Sequence, residues 1–149
     1  MSLIPSRLAA GGFLLNSGLE KWKGDEQTAQ ALHGFATSVY PFLGSMGPAR
    51  FLKLLAGAEI AIGTMVVVPF FPKRLAGWAL TAFTGGLLGV YFRTPGMRQE
   101  DGIRPTQEGL SIAKDVWLLG IGLSLVAAGK KKKSKDEPAD AADDELAND

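Results

Sequence analysis

Four apolar stretches, residues 8–22, 51–71, 75–92 and 112–128, occupy most of the first 129 residues, and each approaches the length a helix needs to cross a bilayer. A hydrocarbon core about 30 Å thick takes roughly 17 to 25 apolar helical residues. Backbone polar groups in lipid must be satisfied within the segment, so single crossing elements are helices. The chain is therefore expected to be all-α, an integral membrane four-helix bundle over residues 1–129 followed by a charged, disordered cytoplasmic tail over 130–149. The first stretch is short unless Arg7, Lys21 and Lys23 extend toward the head groups, as long cationic side chains do. The second and third are separated only by the corner Pro72-Lys73-Arg74, which predicts a tight helical hairpin. A signal peptide fits the first stretch poorly, because Glu20-Lys21-Trp22-Lys23 stands where a small-residue cleavage site would follow.

The connections agree with this division. Residues 27–39 alternate polar and apolar groups at helical spacing, which predicts a short interfacial helix in the first loop. Pro41, Gly44, Gly47 and Pro48 then break the chain before the second span, and residues 94–111, with Arg98, Glu100, Asp101, Arg104 and Glu108, read as a solvated loop. An even number of spans puts both termini on one side. Cations divide equally between the two sides, but the densest cluster, Lys130 to Lys133, abuts the last span and contains no acidic residue, which places the termini in the cytoplasm.

Charge and composition exclude several classes of function. The body to Gly129 carries 11 basic and 8 acidic residues and the tail 5 and 7, so no broad basic face invites nucleic acid. There is no cysteine, which removes disulfides, iron–sulfur clusters and thiolate chemistry from the chain's own repertoire. The single histidine, His33, has no companion, so no metal site is expected.

Glu59 demands an explanation. It lies about 3 Å from the midpoint of the second span at 1.5 Å rise per residue. An unpaired charge at that depth costs at least about 2.5 kcal/mol. It must face the bundle interior, be protonated or have a partner; Leu52, Ala56, Gly63 and Val66 on its stripe leave room beside it, and it is read either as a proton-handling or ligand-polarising carboxyl or as a structural hydrogen-bond node. Asn16, at similar depth in the first span, is a candidate partner, although it lies opposite the stripe that begins at Arg7, so both cannot face Glu59 equally. On that span Arg7, Gly11, Leu14, Gly18 and Lys21 fall within about 80° of one another, putting a cation at each end of a small-residue seam. Those cations either anchor the helix at the two interfaces or serve a site, and Arg7, Asn16, Gly18, Lys21 and Glu59 form the candidate cofactor-binding set. On the third span Gly77, Thr81, Thr84, Gly85 and Leu88 share one stripe, and Gly85 to Gly89 is a small-residue helix-packing motif. Glu20, Lys21, Lys53, Arg93, Lys114 and Asp115 gather at the opposite helix ends from the termini, as an interfacial ion-pair belt or a polar mouth.

The run from Arg7 to Trp22, an arginine, an apolar seam and then Gly18-Leu-Glu-Lys21, resembles the opening of the DoxX family of small four-helix membrane proteins. Gly57-Ala-Glu59-Ile-Ala-Ile-Gly63 followed by Pro72-Lys-Arg74, and Lys114-Asp115 before the last span, extend the likeness to about Gly129. The resemblance implies a bundle in the bacterial plasma membrane and, for some members, quinone-linked oxidation or a redox and stress complex. It departs at Ser17, where the family often carries a histidine, and in the loop after Arg93 and the acidic tail. Two functions follow as expectations. One is an accessory or catalytic subunit of a quinone-linked oxidoreductase, with Glu59 as candidate proton carrier, quinone as cofactor, and a soluble or membrane redox partner. The other is a non-catalytic membrane scaffold whose tail recruits a soluble partner. A small-solute carrier would need an inverted repeat, and none is found.

Overall fold

In the computed structural model, residues 3–133 are described, and among them the chain is helical with no strand beyond one isolated bridge between Arg98 and Pro105. The helices are α1 (Ile4–Trp22), α2 (Glu26–Val39), α3 (Pro48–Val67), α4 (Lys73–Arg93), α5 (Gln107–Ala113) and α6 (Val116–Lys133), with a 3-10 turn over Pro41–Ser45. Proline starts α1 and α3, where a missing N–H costs nothing, and Asp25 caps α2 by accepting the Thr28 N–H. That hydrogen bond holds the Asp25 carboxyl below its ordinary range. The helix expected in the first loop is thus present as α2.

Helix boundaries differ from expectation at several points: α1 begins at Ile4 and α6 at Val116, where the apolar stretches begin at 8 and 112, and other differences have identifiable reasons. The second apolar stretch was expected to run to residue 71, but α3 ends at Val67. Pro69 disfavours helical geometry at Val68, and the Arg7 guanidinium takes up the carbonyls of Met65, Val66 and Val68 that a longer helix would use. The segment read as a solvated loop contains α5, whose N-cap Thr106 accepts from Gly109 N–H. A turn at Lys114 and Asp115 then separates α5 from α6. Helix α6 continues through Lys133, four residues into the segment assigned to the tail, and residues 134–149 lie outside those described.

The long helices form two antiparallel pairs. In the first, α1 and α3 meet along Gly11, Gly18, Ala56 and Gly63; a Cβ on Gly63 would stand 2.9 Å from the Gly11 carbonyl oxygen. In the second, α4 and α6 meet along Gly77, Thr81 and Gly122; a Cβ on Gly77 would stand 2.8 Å from the Gly122 carbonyl oxygen. Close backbone approach of this kind gains dispersion contacts that a larger residue would prevent. The Gly85-to-Gly89 motif takes no part in either seam: Gly85 faces open space, and Gly89 receives the Tyr40 hydroxyl. One core of Ala10, Leu14, Val66, Ala76, Leu80, Leu118 and Leu125 joins the two pairs.

Among the described residues, two segments, Lys73–Arg93 and Gln107–Gly129, are long and apolar enough to cross a membrane. Helices α1 and α3 fall short of the same measure because each carries three charges, Arg7, Glu20 and Lys21 in one and Arg50, Lys53 and Glu59 in the other.

Candidate functional site

Antiparallel pairing of α1 with α3 decides where the charges go. It sets Arg7, in the first turn of α1, against the last turn of α3, where Nε donates to Val66 O at 2.6 Å and Nη2 to Met65 O and Val68 O at 3.2 and 2.9 Å. Arg7 is only 6% exposed and satisfies carbonyls a helix C-terminus leaves orphaned. At the other end the relation is returned: Lys53 of α3 donates to the Trp22 carbonyl at the end of α1 and lies 4.7 Å from the Trp22 ring centroid. Of the two sequence readings of Arg7, anchor or site member, its contacts are those of a cap within the protein.

Between these two ends Lys21 reaches Glu59. Nζ stands 3.2 Å from Oε2, and it also donates to Ser17 Oγ at 2.6 Å. Glu59 is 3% exposed, so its carboxylate has almost no water and depends on the ammonium for compensation. The expectation that Glu59 faces the interior is met in this geometry, with Lys21 as its partner. Asn16 is not: it is exposed on the far face of α1, donating to Glu20 Oε1 at 3.1 Å, because 100° per residue turns it away from the Gly11–Gly18 seam. Gly18 lines the seam, where its lack of a side chain admits Ala56 and Ile60.

The pair opens onto a cavity of about 260 Å³ between the two helix pairs. Its polar end is made by Ser17, Lys21, Glu59, Lys114 and Asp115, and its apolar walls by Phe13, Leu55, Phe83 and Leu118 among others. Leu32 of α2 contributes from the side, and Phe13 packs edge-on against Trp117 with centroids 5.6 Å apart, tying α1 to α6 beside the cavity. The α5–α6 turn delivers Asp115 to this space. Its Oδ1 is buried and has no hydrogen-bond partner, and the charges around it are Lys114, Glu59 and Lys21. The sequence left Asp115, with Glu20, Lys21, Lys53, Arg93 and Lys114, in either an interfacial belt or a polar mouth; Lys21, Lys114 and Asp115 of that set line the cavity together. No proline or glycine marks the turn at Lys114 and Asp115, so the inward position of this carboxyl is visible only in the fold.

The assembled group can donate one ammonium N–H that neither Glu59 nor Ser17 takes, and accept a hydrogen bond at Asp115 Oδ1. No group of three or more metal-ligating side chains occurs among the described residues. Compared with protein-family models, with curated proteins and with solved structures, the chain has no match.

Proposed function

We propose that α1, α3, α4 and α6 cross the bacterial plasma membrane as a DoxX-like four-helix bundle with cytoplasmic termini, and that the protein is a subunit of a quinone-linked oxidoreductase or related redox complex. The membrane part is supported by large apolar side chains that face outward along all four helices, among them Leu8, Leu19, Leu54, Trp78 and Leu123, each about half exposed. Water-soluble monomers rarely present apolar surface on that scale.

The observation that carries the redox part is the buried Lys21–Glu59 pair opening on an apolar-walled cavity. The residues fit a quinone head group. The space lies just below the roughly 300–1,000 Å³ of pockets for drug-sized ligands, so it admits a ring and leaves a lipid tail to pass between helices. Lys21 has a donor for a ring carbonyl, and Asp115 has an unfilled acceptor for a ring hydroxyl. A bound quinone would supply two-electron, two-proton chemistry. Glu59 would hold the exchangeable proton at its carboxylate, Lys21 would orient the ring oxygen, and the apolar walls would exclude bulk water. Without a cysteine the chain brings no thiol of its own, so the electrons come from a redox partner or from the substrate itself.

The test is extraction of bound lipid from protein purified in mild detergent, with quinone quantified per chain for wild type and Glu59→Gln. Near-stoichiometric quinone in wild type, lost in the variant, is the expected result. Quinone at bulk-lipid level in both ends this reading and leaves the scaffold reading, with co-purifying proteins as the lead.

A further inference from the structure

A second cleft, of about 490 Å³, lies at the end of the molecule where α1 begins, α3 ends and α4 begins. Among the described residues that line it, five are apolar, the other two are Arg7 and Lys73, and none is acidic. The eight acidic side chains of the body, from Glu20 to Asp115, all lie elsewhere. Arg7 spends Nε and Nη2 on the carbonyls of α3, and Nη1 makes no hydrogen bond among the described residues. Lys73 is exposed and has no ion pair there. Among the described residues the cleft therefore carries two cations, one of them nearly buried, with no anion to balance them.

We propose that this cleft binds the head group of an anionic phospholipid. A phosphate would receive the free Nη1 donors of Arg7 and the Lys73 ammonium, and charge-assisted bonds of this type are the strong ones. The space is far larger than an inorganic phosphate needs, and its walls are the wrong chemistry for one. Ile4 and Leu8, spaced four residues apart on α1 and both more than half exposed, continue from the cleft as an apolar track suited to an acyl chain. The inference rests on the membrane part of the proposed function and is independent of quinone.

Native mass spectrometry of the detergent-purified full chain, with phosphatidylglycerol or phosphatidylcholine added, tests it. Wild type is expected to retain phosphatidylglycerol in preference to phosphatidylcholine. Lys73→Gln should lower that occupancy about fivefold, the effect of about 1 kcal/mol per cation near a membrane surface. Lys23→Gln, a cation removed at the opposite end, should leave it unchanged. Equal retention of the two lipids overturns the proposal while leaving the membrane reading intact, and so do equal effects of the two lysine variants. Displacement of the lipid by inorganic phosphate would show a free-phosphate site instead and overturn it as well. Retention of neither lipid would count against the membrane reading too.

Discussion

The two helix pairs are built on the same seam and filled with different chemistry. Both α1–α3 and α4–α6 run antiparallel, and both rely on glycines that let one backbone press against the other. The first pair, however, buries Arg7 and Glu59 and uses Arg7 and Lys53 to cap its helices reciprocally. The second buries only hydroxyls: Thr84 donates within its own helix to Leu80 O, and Thr81 Oγ1 has no partner. Buried charged residues of the long helices are thus confined to one pair, and the α5–α6 turn adds Lys114 and Asp115 to the Lys21–Glu59 end of the cavity. The difference explains why α4 and the α5–α6 segment are apolar enough to cross a membrane by composition while α1 and α3 are not. The charges that disqualify α1 and α3 include the ones that satisfy each other inside the pair.

The sharpest way to break this contrast is to remove one charge. Lys21→Met leaves Glu59 buried without its ammonium and should destabilise the protein by roughly 3 kcal/mol, the low end for a broken buried pair because Lys21 is partly exposed. The double variant Lys21→Met with Glu59→Leu should recover most of that loss. Denaturant unfolding in detergent reads both. A double variant as unstable as the single would mean that the pair contributes net stability rather than tolerating burial.

The seams offer a smaller effect. Gly63→Ala and Gly77→Ala should each cost about 1–3 kcal/mol, since the added methyl meets a carbonyl oxygen of the facing helix. Gly85→Ala, with nothing within 4 Å, should be neutral or stabilising by up to about 1 kcal/mol from helix propensity. Thermal melts of the three variants would check whether the two seams bear equally on stability.

Apolar period and proline placement were enough to locate α1, α3, α4 and α6 within a few residues, because helix formation depends on local spacing. Glu59 was legible as an inward residue because a charge beside Ala56 and Gly63 has few other places to go. Its partner was not. Lys21 and Asn16 lie within five residues of each other, and which one meets Glu59 depends on the rotation of α1, set by Gly11 and Gly18 packing on α3. The capping role of Arg7 spans 59 residues of sequence and needs the antiparallel register before it can be seen. Asp115 depended on a helix break that no proline or glycine marks. The Gly85–Gly89 motif misled because spacing identifies a smooth helix face without naming what packs there.

The smallest expected effect is on α2, outside the two pairs. Asp25 has its carboxyl lowered by the Thr28 N–H, so its cap stabilises the helix at pH above the ordinary value of 3.8 and is lost as pH falls through the lowered value. Amide exchange in the first turn of α2 should quicken below pH 3.8 in wild type, and the acid-dependent change should disappear in Asp25→Asn, whose amide still caps but does not titrate.

Four crossings require the charged pair, α1 and α3, to span the membrane alongside the apolar one, as proposed above. Because the chain has no cysteine, single substitutions Gln27→Cys, between α1 and α3, and Phe70→Cys, between α3 and α4, can report sidedness through an impermeant maleimide. Gln27→Cys is expected to react in intact spheroplasts and Phe70→Cys only after the membrane is opened. The reverse pattern would keep four crossings and overturn the cytoplasmic placement of the termini. Reaction of both from the same side would contradict the claim, leaving α4 and the α5–α6 segment as the sole spans.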